Sequence, residues 1–139
     1  MPEAAILPKE VERRLTDACR RRLPNETCGI LFGTEAGAQV EVEEFAVIRN
    51  AARRPGESFA FLPEDWVSAY YEAQKNQRKI VGFFHSHPDG RPLPSVKDAK
   101  GWLPWGTYWI VGFSQHDSEI AAYTVSSAGD WRSLTVRAG

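Results

Sequence analysis

"RKIVGFFHSH", residues 78–87, is an apolar run that ends in two histidines one residue apart. Ile80, Val81, Phe83 and Phe84 are too apolar for a strand exposed on both faces, so a buried strand is expected. Pro88 stops it, and Pro92 and Pro94 stiffen the loop that leads to "SVKDAKGW", residues 95–102, where a short helix is expected. A buried strand needs cover, and the flanking segments offer it. Upstream, "LPEDW" opens a helix, with Pro63 in the first turn and Glu64 and Asp65 at its positive end. Trp66, Tyr70 and Ala73 form the stripe that would face the strand.

Further upstream, "FAF" (59–61) reads as a brief strand after the polar loop "AARRPGES". "TCGILFG" (27–33) and "QVEVEEFAVIRN" (39–50) read as a hairpin, with "TEAGA" as its turn. Residues 9–23 predict the first helix, with Val11, Leu15, Ala18 and Cys19 on one face. Arg13, Arg14, Arg20 and Arg21 lie roughly opposite; a solvated face is the simple reading, and a docking surface for an acidic partner the sharper one. Downstream, "TYWIVGFS", "EIAAYTVS" and "WRSLTVRA" read as three sequential antiparallel strands with turns at "QHDS" and "SAGD". The expected architecture is α+β: a single domain over residues 1–139 with a curved mixed sheet flanked by helices.

The chain has 139 residues, 42% hydrophobic and 25% charged, which are values of a globular chain rather than a disordered one. A formal net charge of −1 gives no reason to expect nucleic acid or an anionic membrane as partner. No stretch approaches a membrane span, and "MPEAAILPKE" lacks the pattern of a signal peptide. Cys19 and Cys28 are too few for a disulfide framework and have no C-x-x-C spacing, so a reducing cytoplasm is the expected location.

Side chains at i and i+2 of a strand share a face, so His85 and His87 stand together while Ser86 points away. Two neighbouring imidazoles can hold one cation, or can simply bond to backbone and water at a strand end. "SVKD" has the form of a capping box, with Ser95 as N-cap and Asp98 reaching back. Alternatively, the proline-rich loop returns Asp98 over the end of the histidine strand. Two histidines and one carboxylate with a fourth position open describe a catalytic zinc site. Cys28 is the one thiol that could approach such a site in space. A zinc hydrolase also needs a proton carrier, and Glu26 in "PNETCGILFG" is a candidate, at the point where a loop enters a buried strand. An exposed, ordinary glutamate fits the same spacing.

The ordered set Glu26, His85-Ser86-His87-Pro88 and Ser95-x-x-Asp98 resembles the signature of the JAMM metallopeptidases, the catalytic branch of the MPN-domain family. "PNETCGILFG" also resembles that family's opening strand, and the resemblance covers essentially the whole chain. It implies a minimal JAMM domain with a core like that of the cytidine deaminases. It implies that His85, His87 and Asp98 bind one Zn2+ per chain. Glu26 would take a proton from the attacking water and pass it to the leaving amine, and Ser95 would support the oxyanion. A cupin would need a glutamate soon after His87, and a zinc deaminase would need His-x-Glu with a later Cys-x-x-Cys; neither is present. A non-catalytic MPN-type scaffold is the rival, although such members usually lack part of the ligand set. The implied substrate is an amide or isopeptide bond at the C-terminal Gly-Gly of a ubiquitin-like protein. The chain's small size points to a sulfur carrier of that type, and a homo-oligomer stays open. Trp102 or Trp105 would wall the substrate groove, or lie in the core.

Overall fold

The computed structural model describes residues 2–94, 106–126 and 128–139. Ser95, Asp98, Trp102, Trp105 and the short helix expected over 95–102 lie outside the described residues. The elements run β1 (Ala4–Ile6), α1 (Lys9–Arg20), β2 (Cys28–Ala36), β3 (Gln39–Ile48), α2 (Pro63–Lys75), β4 (Ile80–His87), β5 (Thr107–Phe113), β6 (Ser118–Val125), β7 (Trp131–Ser133) and β8 (Thr135–Arg137).

All eight strands join one sheet in the order β7-β6-β5-β4-β2-β3-β1-β8. The β4–β5, β1–β3 and β1–β8 pairs are parallel and the others antiparallel, so the sheet is mixed. Its curvature follows from connectivity. β7 and β8 are the two ends of the sheet, yet only Leu134 separates them in the chain. The sheet must therefore curl round until its ends nearly meet. Leu134 makes the corner: its N–H donates to Ala122 O at 2.8 Å, and its side chain is buried with α1's residues in one core.

Each helix covers one face. Val11, Leu15 and Cys19 of α1 pack with Leu31, Val81, Phe84, Trp109 and Val111. On the other face Ala73 of α2, with Trp66 and Tyr70 half-buried beside it, packs against Ile30, Ile80, Phe83 and Tyr108. β4 thus carries apolar side chains to both cores and is covered as its composition requires. Simple alternation would place Val81 and Phe83 together, but they lie in different cores. A bulge accounts for this: Leu31 pairs with Gly82 and Phe32 with Ile80, so Val81 is the extra residue. The bulge resets which residues of β4 face α2, and therefore which face the histidines occupy.

Several expectations need correction. β1 has no counterpart in the sequence reading, being three residues that only pair because β3 and β8 flank them. "WRSLTVRA" is two strands, not one. "FAF" is not a strand; Phe59 and Phe61 instead turn their rings toward His85 and Phe83. The hairpin turn is only Gly37-Ala38, since β2 continues to Ala36 and Gly37 takes a left-handed φ of 61°. α1 stops at Arg20. Its arginines are engaged locally: Arg14 with Glu44 at 2.8 Å, and Arg13 and Arg20 with Asp17 at 3.6 and 3.5 Å. No described helix is long and apolar enough to cross a membrane.

Candidate active site

The end of β4 outruns β2. The ladder pairs Cys28 with His85, and beyond it Ser86 N–H donates to Thr27 O while Ser86 Oγ accepts from Thr27 N–H, both at 2.8 Å. Ser86 is fully buried, on the face opposite the histidines, and locks the two chains where regular pairing ends. His85 and His87 share the α2-side face, as the period of two requires. The Phe59 ring stacks on His85, with centroids 4.6 Å apart and planes at 22°. His85 is only 6% exposed, and its Nε2 faces that of His87.

The two Nε2 atoms lie 3.2 Å apart. Imidazole nitrogens at this distance share either one proton or one cation. With Zn–N bonds of about 2.0–2.1 Å and a tetrahedral angle, two nitrogens on one zinc stand about 3.3–3.4 Å apart. The spacing therefore fits a shared zinc. His87 Nδ1 is 2.9 Å from Arg91 O and donates to it, which leaves the lone pair on Nε2, as a metal ligand needs. The carbonyl is held in turn. Gly90 N–H donates to Phe113 O at 2.9 Å, and the buried Tyr123 hydroxyl donates to Pro92 O at 2.6 Å. A Cβ on Gly112 would stand 2.6 Å from Gly90 O and 2.7 Å from Pro92 N, so only glycine lets the loop lie this close to β5.

Among the described residues no group of three His, Cys, Asp or Glu side chains is placed to hold a metal. Asp98, the third ligand implied by the motif, lies outside them, as does Ser95. Cys28 comes close in the ladder, but its thiol donates to Ile48 O at 3.4 Å. Burial first, then the neighbouring Glu26 charge, pushes that thiol up to about 12.

Glu26 is not the exposed residue its spacing allows. It is 7% exposed and stands two residues before β2. With His87 it lines a cleft of about 530 Å³ whose other walls include Pro24, Glu57 and Asp89. A buried carboxylate and an imidazole on one open cleft can exchange protons with a bound molecule. Asn50 and Phe59 were not anticipated as parts of this site. Asn50 bonds to the Glu26 backbone, and neither residue carries a short-range signal of such a role.

Residues 8–133 match the family model described as prokaryotic homologs of the JAB domain. A protein named desampylase from Pyrococcus furiosus is 38% identical over 86 residues, 62% of this chain and 58% of that protein. A desampylase from Haloferax volcanii is 33% identical over 75 residues, 54% of this chain and 52% of its own length. The chain thus aligns with little more than half of either relative. A solution structure of a Desulfitobacterium hafniense protein superposes with a TM-score of 0.81 at 26% identity, covering 97% of this chain and 94% of that one.

Proposed function

The chain belongs to the family of prokaryotic JAB-domain homologs, and from that premise we propose that it is a zinc-dependent isopeptidase. Its substrate is the amide bond that follows the C-terminal Gly-Gly of a ubiquitin-like protein, of the sulfur-carrier type. One observation carries the reading: two imidazole Nε2 atoms converge to 3.2 Å, and His87 lines a cleft that the buried Glu26 lines as well. The desampylase name of two relatives supports the substrate class.

His85 and His87 would hold the metal, with Asp98 as the third ligand. A zinc held there would supply the Lewis acidity that polarises a carbonyl and makes attack by water feasible near neutral pH. Each residue then has a separate task. Phe59 restricts the His85 ring by stacking, and the Arg91 carbonyl keeps the proton of His87 on Nδ1. Glu26 takes a proton from the attacking water and delivers it to the leaving amine, a relay typically worth about 10²–10⁴-fold. Ser95 donates to the oxygen that gains charge. Gly-Gly suits the approach, since a residue without Cβ brings its backbone close to the cleft wall.

The test presents a ubiquitin-like sulfur carrier joined through Gly-Gly to a lysine ε-amine. The wild-type chain should release the lysine, and Glu26→Gln should be slower by about 10²–10⁴-fold while keeping its zinc. Cleavage by Glu26→Gln at the wild-type rate would remove the assignment of the base. A scaffold without catalysis predicts no cleavage by either chain.

A further inference from the structure

We infer that Asn50 is the positioning residue for Glu26, an inference that rests on Glu26 serving as the base. The β2–β3 ladder begins with Cys28 opposite Ile48. Two steps further out, Glu26 and Asn50 would face each other if the ladder continued, but regular pairing has stopped. The Asn50 side chain replaces it. Its Nδ2 donates to Glu26 O and Ser58 O, both at 3.0 Å, with Pro55 O at 3.4 Å. Its Oδ1 accepts from Ala52 N–H at 3.0 Å and Ala60 N–H at 3.2 Å. Every neighbour of Nδ2 is a carbonyl and every neighbour of Oδ1 is an N–H, so the network itself defines the amide's orientation.

The consequences reach the site by two routes. The Glu26 carbonyl is held by Asn50 directly, and the Glu26 N–H donates at 2.6 Å to Pro55 O, in the loop that Asn50 gathers. Both backbone groups of the proposed base therefore depend on one amide. Residues 50–60 form no helix or strand, so the amide takes over the work of a ladder in fixing the Glu26 backbone. No aspartate can do this: its carboxylate would keep the two acceptor bonds and lose every donor bond, including the one to Glu26.

The test is a double-mutant cycle read by kcat and KM on the Gly-Gly isopeptide substrate. Asn50→Ala and Asn50→Asp should each lower kcat by about 10–10²-fold, the effect of a misplaced reacting group, with KM changed less than about twofold. Asn50→Asp retains only the bonds to Ala52 and Ala60 and sets a carboxylate oxygen against the carbonyls of Glu26 and Ser58, so urea unfolding of both variants accompanies the kinetics and separates a misplaced base from an unfolded chain. In a Glu26→Gln background the same substitutions should lower kcat by less than about twofold, because the group they position is already absent. An equal loss in both backgrounds, a loss confined to KM, or no loss would overturn the role of Asn50. A fully active Glu26→Gln would instead remove the base and this inference with it. A slowed but measurable Glu26→Gln with additive Asn50 effects would overturn the positioning role alone.

Discussion

Cys19 and Cys28 are both buried free thiols, and burial pushes each up to about 12. For Cys19 the Thr27 and Ser86 hydroxyls and Arg22 pull the other way without reversing the shift. In the unfolded chain the thiols ionise near 9.0. Below that value both states keep their protons and the thiols contribute no pH dependence. Above it the unfolded state binds fewer protons than the folded state, so stability falls as pH rises. The slope should approach about 1.4 kcal/mol per pH unit for each thiol. Urea unfolding between about pH 8 and pH 10.5 should show this decline, and the Cys19→Ala/Cys28→Ala variant should flatten it. An unchanged slope in the variant would contradict the account. At this scale the sequence was informative about His85 and His87, because strand spacing alone puts them side by side. It was silent about Asn50, whose bonds reach Glu26, Pro55, Ser58 and Ala60 in a fold no spacing rule describes.

β4 and the loop after it act as one element. His87 is oriented by Arg91 O, which lies between two anchors, Gly90 on Phe113 and Pro92 on Tyr123. Gly112→Ala would place a methyl group against Gly90 O and Pro92 N and push the loop outward. We expect a stability loss of about 1–3 kcal/mol from overpacking. With the partner of His87 Nδ1 displaced, zinc affinity should fall by about 10–100-fold. Urea unfolding and competition with a chelator measure the two effects. Stability lost with zinc affinity unchanged would show that the Arg91 carbonyl does not orient the ligand. The buried strand itself was legible, since "IVGFF" has no polar face to expose. The division of "WRSLTVRA" was not, because its pattern continues across Leu134 while its two halves pair with β6 and β1 at opposite ends of the sheet.

Adjacency of β4, β2 and β3 within the sheet brings together parts that lie far apart in the chain. β2 delivers Glu26, β4 delivers the histidines, and the segment between β3 and α2 delivers Phe59 and Asn50. The α+β class and the helices on both faces follow from periodicity, but β1 and the bulge at Val81 depend on neighbours that local patterns do not specify. The Desulfitobacterium hafniense structure shares this architecture over 97% of the chain, so the site is carried by a fold that spans nearly all of it. Whether the two convergent imidazoles hold a zinc is decided by metal analysis of the purified chain and of His87→Ala. We expect about one zinc per wild-type chain and loss of that zinc in the variant, because removing one of three ligands leaves too weak a site. Full zinc occupancy in His87→Ala, or none in the wild type supplied with zinc, would contradict this expectation.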